Sequence, residues 1–139
     1  MAGINVGRVI LGGLAAGVVA NAGDYVINEY LLKEDMSNLA TRLGLDQGVM
    51  DSSMVTWIVV DFLYGLLIAF TYAAIRPRFG PGAGTACIAG LLLFLAVTVV
   101  LVGFMSMGIF VQDAFMRSAA LSLVVTLAAS LVAGAIYKE

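Results

Sequence analysis

The sequence has no histidine, one cysteine and two prolines in 139 residues. Without histidine, classical zinc fingers and His-ligated haem are excluded. Cys87 has no second cysteine to pair with, so a disulfide-stapled secreted scaffold is excluded too. Charge is also scarce. Asp, Glu, Lys and Arg make up 12% of the chain, the net charge is −2, and no basic run occurs, which argues against nucleic acid as a partner.

What is present is apolar. Hydrophobic residues make up 62% of the sequence, and the mean hydropathy is +1.05. A soluble domain is about half apolar and about a quarter charged. A chain this small has too little interior to hide the excess, so lipid must cover it. Four stretches reach the roughly 20 apolar residues that a membrane-spanning helix needs: Val6 to Leu32, Met54 to Ile75, Gly84 to Met107, and Gln112 to Tyr137. The runs are continuous, without the alternation of a β-barrel, and backbone in hydrocarbon must satisfy itself, which makes them helices. The expected fold is all-α: one integral membrane domain over residues 1–139, an up-down-up-down four-helix bundle. Arg8, the apolar run from Val9 to Val19, and Ala20-Asn21-Ala22 also fit a cleavable signal peptide. Because the apolar stretch resumes beyond Gly23, a retained helix is expected instead.

The loops suggest an orientation. Arg8, Arg76, Arg78 and Lys138 fall on one side, and the acidic first loop, Lys33 to Ser53, falls on the other. The positive-inside rule then places both termini in the cytoplasm and the acidic loop outside. Within the first loop, Met36, Leu39, Ala40 and Leu43 keep helical spacing and Gly44 supplies a stop, which predicts a short amphipathic helix on the outer membrane surface. The segment Arg76-Pro77-Arg78-Phe79-Gly80-Pro81-Gly82 is dense in helix breakers and reads as a sharp inner turn.

Close packing, rather than apolar burial, holds helices together in lipid, and small residues permit it. Ser118, Ser122, Thr126, Ser130 and Gly134 recur every four residues on the fourth span, and Gly13 and Gly17 offer a matching face on the first. These are the candidate packing residues, with the partner either inside the chain or in another subunit.

Charge inside a span costs at least ~2.5–3.5 kcal/mol at its centre on insertion scales. Counted from the helix ends at 1.5 Å per residue, Asp24, Asp61 and Arg117 all sit roughly 8–12 Å below the outer surface. Asn21, Asp24 and Asn28 share a face by their spacing, and Tyr64 follows Asp61 by three. The expectation is a polar layer of Asn21, Asp24, Asn28, Asp61, Tyr64 and Arg117, with the guanidinium neutralising an aspartate. Two plainer roles compete: fixing helix register, or a same-helix pair of Arg117 with Asp113 four residues earlier. Met105 and Met107 point to different helix faces, so no copper site is expected, and Cys87 reads as a small apolar residue. No catalytic or metal site is expected, and the sequence leaves open whether lipid, quinone or pigment binds.

Two stretches, Gly7-Arg8-Val9-Ile10-Leu11-Gly12-Gly13-Leu14 with Asn21-Ala22-Gly23-Asp24-Tyr25, and Tyr72-Ala73-Ala74-Ile75-Arg76-Pro77-Arg78-Phe79-Gly80, resemble small bacterial four-span membrane proteins of no assigned activity. The resemblance implies a bacterial membrane location and nothing about chemistry. Lipoprotein signal peptidases are also small four-span proteins with two aspartates, but their late-helix Asn and Asp motif is missing here, where Asp61 sits in Val60-Asp61-Phe62. The GxGD pattern of other intramembrane proteases fails at Asn21. The leading functional expectation is a non-enzymatic membrane subunit that packs against copies of itself or into a larger complex, respiratory or photosynthetic in type. The alternative is a small ion-coupled transporter using Asp24 and Asp61, and more remotely an intramembrane aspartyl protease.

Overall fold

The computed structural model describes residues 3–138, and no strand occurs among them. Helix α1 runs Val6–Val26 and continues into a π turn, Ile27–Leu31; α2 is Lys33–Leu43, α3 Gln47–Phe79, α4 Ala83–Ser106 and α5 Gln112–Ile136. Four of these, all but α2, are long and apolar enough to cross a membrane. The chain is therefore a multi-pass membrane protein built as a four-helix bundle.

The helix ends follow local chemistry. Asn5 caps α1 by accepting the Arg8 N–H at 3.1 Å, and Asp46 caps α3 by accepting the Val49 N–H at 2.8 Å. Gly44 ends α2 in the left-handed region at φ +66, where a side chain would be strained. Helix α3 exceeds the expected span at both ends. Its 33 residues make it about 50 Å long against a hydrocarbon core of about 30 Å, so polar turns project beyond the membrane. It also passes through Pro77, expected to lie in the turn, and stops only at Gly80. Proline in the last turn removes one backbone bond, and the turn beyond is tied by the Gly82 N–H donating to the Tyr72 hydroxyl at 3.2 Å.

Helix α1 lies beside α3 and α5, α4 lies beside α5 and α3, and α4 stands diagonally across from α1. The two halves of this bundle pack differently. Toward the Pro77 end the interior is filled by Ala16, Ile68, Ala69, Tyr72, Ala73, Ala86, Ala89, Ala129 and Ala133, all nearly inaccessible. Glycine lets the backbones approach there. A Cβ on Gly13 would sit 2.7 Å from Leu66 Cα, one on Gly17 would sit 2.9 Å from Phe62 Cα, and one on Gly65 would strike the backbone of Gly13 and Gly17. At the same end, Tyr72 and Tyr137 meet edge to face at 5.9 Å, Arg76 lies over the Tyr137 ring, and the Tyr137 hydroxyl accepts the Asn5 N–H. Toward the α2 end the bundle opens into a cavity.

Candidate functional site: an acidic pair in a membrane cavity

The cavity has a volume of about 560 Å³ and draws its walls from every helix. Trp57, Asp61 and Tyr64 come from α3, Phe94 and Thr98 from α4, and Ser118, Ser122 and Thr126 from α5. Helix α1 contributes Ala20 and Asp24. Over the top lies α2, whose Leu32-flanked start and residues Asp35, Met36, Leu39 and Arg42 face the cavity. The amphipathic helix expected in the first loop is thus present, but its apolar face covers the bundle's own cavity as well as any lipid surface. That follows from the short connections on either side: the π turn before it and three residues after it leave no slack for α2 to lie away from the bundle.

Asp24 and Asp61 come together. Their side chains lie within hydrogen-bonding range of each other, although they belong to different helices. Asp61 is only 9% exposed. Among the described residues neither carboxyl group forms a salt bridge, and the hydrogen-bonding neighbour of each is the other acid. One turn along α3, Tyr64 lines the same cavity as Thr126 on α5, which carries the polar lining across the bundle. The two acids that the depth count put at one level thus line one cavity.

The remaining members of the expected polar layer lie elsewhere. Arg117 does not neutralise either aspartate. Its Nη2 donates to both carboxylate oxygens of Asp35 on α2, at 2.8 Å each, and its side chain is 56% exposed. Nor does it form a salt bridge with Asp113. The reason is reach: a long side chain near a helix end carries its charge to the wet surface, and α2 folds back to present a carboxylate there. Asn28 is exposed, because the chain enters the π turn at this level, closed by the Leu32 N–H on the Ile27 carbonyl at 2.7 Å, and Ile27 turns inward in its place. Asn21 sits beside the cavity instead of lining it, its amide donating to the carbonyls of Gly17 at 2.9 Å and Ile58 at 3.3 Å and so stitching α1 to α3.

The small-residue stripe divides likewise. Gly13 and Gly17 pack on α3. Thr126 and Ser130 are buried, and a Cβ on Gly90 of α4 would meet the Ser130 hydroxyl at 2.6 Å. Gly134 faces Ala86 and Tyr72. Ser118 and Ser122, expected to pack against a helix, face the cavity. Steps of four drift about 40° each on a 3.6-residue helix, so five positions span too wide an arc for one neighbour.

Sequence reasoning missed Asp35 and Arg42, which clasp α2 down: Arg42 donates to the Gly108 carbonyl at 2.8 Å in the α4–α5 turn. It also missed the aromatic walls. One signal was readable, since Trp57, Asp61 and Tyr64 are spaced by four and three and so share a face of α3.

Chemically, the site offers a desolvated pair of acids, aromatic surface, a few hydroxyls and a cover held by polar contacts. No group of three or more His, Cys, Asp or Glu side chains that could hold a metal occurs among the described residues. No protein-family model, no curated protein and no solved structure matches the chain.

Proposed function

We propose that this protein is a small ion-coupled membrane carrier in which Asp24 and Asp61 together form the coupling site. The observation that carries the reading is the meeting of two acids, from separate spans, in a cavity whose two arginines, Arg42 and Arg117, are held by other partners. Two carboxyl groups at that separation repel unless a proton or a cation lies between them. Charged residues are kept inside a membrane chiefly along the path of an ion or substrate. In the proposed setting, a bacterial inner membrane, both termini are cytoplasmic, since Arg8, Arg76, Arg78 and Lys138 all lie at the end away from α2.

The test is a pH jump applied to the protein on a solid-supported membrane. The wild type is expected to give a transient current as charge moves at the pair, and Asp24→Asn/Asp61→Asn to give none while keeping its helical circular dichroism. A silent wild type, or equal currents in both, overturns the reading.

One second reading draws on the same pair, since adjacent carboxyls sharing a proton are also how aspartic proteases activate water. Cleavage of a transmembrane peptide that is lost in both single Asn variants would favour it over carriage. The subunit reading has a weaker basis now that Gly13, Gly17, Ser130 and Gly134 are occupied inside the bundle. It rests on exposed apolar faces such as that of α4, which lipid covers equally well.

A further inference from the structure

We propose that the cavity takes an amphipathic organic cation, with its positive nitrogen against Asp24 and Asp61 and its apolar body among Trp57, Tyr64 and Phe94. This rests on the carrier reading and names the class of molecule carried.

Charge comes first. Of the two arginines lining the cavity, Arg117 is engaged by Asp35 and Arg42 by the Gly108 carbonyl. Neither reaches the acid pair. Asp61 is nine-tenths buried, lines the cavity and has a second acid, Asp24, as its neighbour in place of a cation. Two buried carboxyls without a counter-ion are costly, and a cationic ligand supplies one.

Size and wall chemistry then narrow the choice. A volume of about 560 Å³ lies within the range of small-molecule sites, roughly 300–1,000 Å³. A bare metal ion would leave most of that volume empty. Calcium takes 6–8 oxygen ligands in typical protein sites, carboxylates prominent among them, whereas no cluster of three His, Cys, Asp or Glu side chains occurs among the described residues. Aromatic faces attract cations through their quadrupoles, most strongly when water is excluded, and they also cover hydrocarbon. An organic ammonium or guanidinium uses both the acids and the aromatic walls.

Trp57 is the only tryptophan in the chain, and it lines the cavity while remaining 64% exposed, so its fluorescence is one readout of occupancy. In lipid nanodiscs, phenyltrimethylammonium is titrated against tert-butylbenzene, which has the same shape without the charge. Empty nanodiscs are subtracted, and calorimetry of the same titrations records any binding that Trp57 does not report. The expected result is saturable binding of the cation, at least tenfold tighter than the neutral compound (about 1.4 kcal/mol), and its loss in Asp24→Asn/Asp61→Asn at unchanged helicity. Equal binding of the two compounds, no saturable binding, or binding that survives the double substitution overturns the inference. Displacement by sodium at constant ionic strength would assign the pair to an inorganic ion and overturn it as well. If the pH-jump current depends on the aspartates and the organic cation fails to bind, only the occupant is wrong. If the current is also absent, the carrier reading itself fails.

Discussion

Replacing Gly65 by alanine tests the tightest crossing in the bundle. The added Cβ would lie 2.5 Å from the Gly17 nitrogen and 2.9 Å from its Cα, and it would strike the Gly13 carbonyl oxygen. All three are backbone atoms of α1, so no side-chain rotation relieves the contact and the helices must part. Overpacking of this kind costs about 1–3 kcal/mol, and the absence of any rotamer escape puts Gly65→Ala near the top of that range. Alanine returns about 1 kcal/mol in helix propensity, which leaves a net loss of about 2 kcal/mol. Gly103→Ala is the matched control. It lies inside α4 with nothing within 4 Å of the added Cβ, so only the propensity gain of up to about 1 kcal/mol applies. The same chemical change should therefore move stability in opposite directions at the two positions, with a gap of about 3 kcal/mol. Unfolding by SDS in mixed micelles, followed by far-ultraviolet circular dichroism, measures both. If the two variants agree within about 0.5 kcal/mol, α1 and α3 do not cross where described and the packing argument fails.

Three further outcomes follow from local contacts. Asp35→Asn removes the anchor that Arg117 holds; amide exchange in Lys33–Leu43 should quicken with little change in the global unfolding midpoint, as befits an exposed pair, and unchanged exchange would show that the clasp does not hold α2. Tyr72→Phe leaves the Gly82 N–H without its acceptor and should cost about 0.5–1.5 kcal/mol in the same SDS titration, so an unaltered curve would count against that tie. Gly44→Ala forces a side chain into the left-handed C-cap of α2 and should cost about 1 kcal/mol. Gly44→Asn, which tolerates that conformation, should cost less, and the reverse order would refute the cap.

The sequence disclosed the parts of this fold that depend on composition and period. Apolar runs located four spans, the spacing of Met36, Leu39 and Leu43 located α2, and Gly44 located its end. Depth counting on straight helices brought Asp24 and Asp61 to one level, because both lie within regular α-helix. The same method failed for Asn28, where a π turn interrupts the regular spacing. It failed for Arg117 because the partner, Asp35, reaches it only through the fold-back of α2, across 82 positions of sequence. The start of α3 at Gln47 lay hidden in polar sequence, where hydropathy gives no signal and the cap at Asp46 is decisive. The cavity was not legible from any single span. Small residues from all four spans close the Pro77 half of the bundle, and the open half is walled by side chains from every helix.

The most direct test of the central claim is whether positions 24 and 61 meet in the membrane. In a Cys87→Ala background, Asp24→Cys/Asp61→Cys is treated in native vesicles with a short bis-methanethiosulfonate linker, alongside Asn28→Cys/Asp61→Cys. The account predicts a reducible intramolecular cross-link in the first pair and little in the second. No cross-link in the first, or equal yields in both, would contradict it.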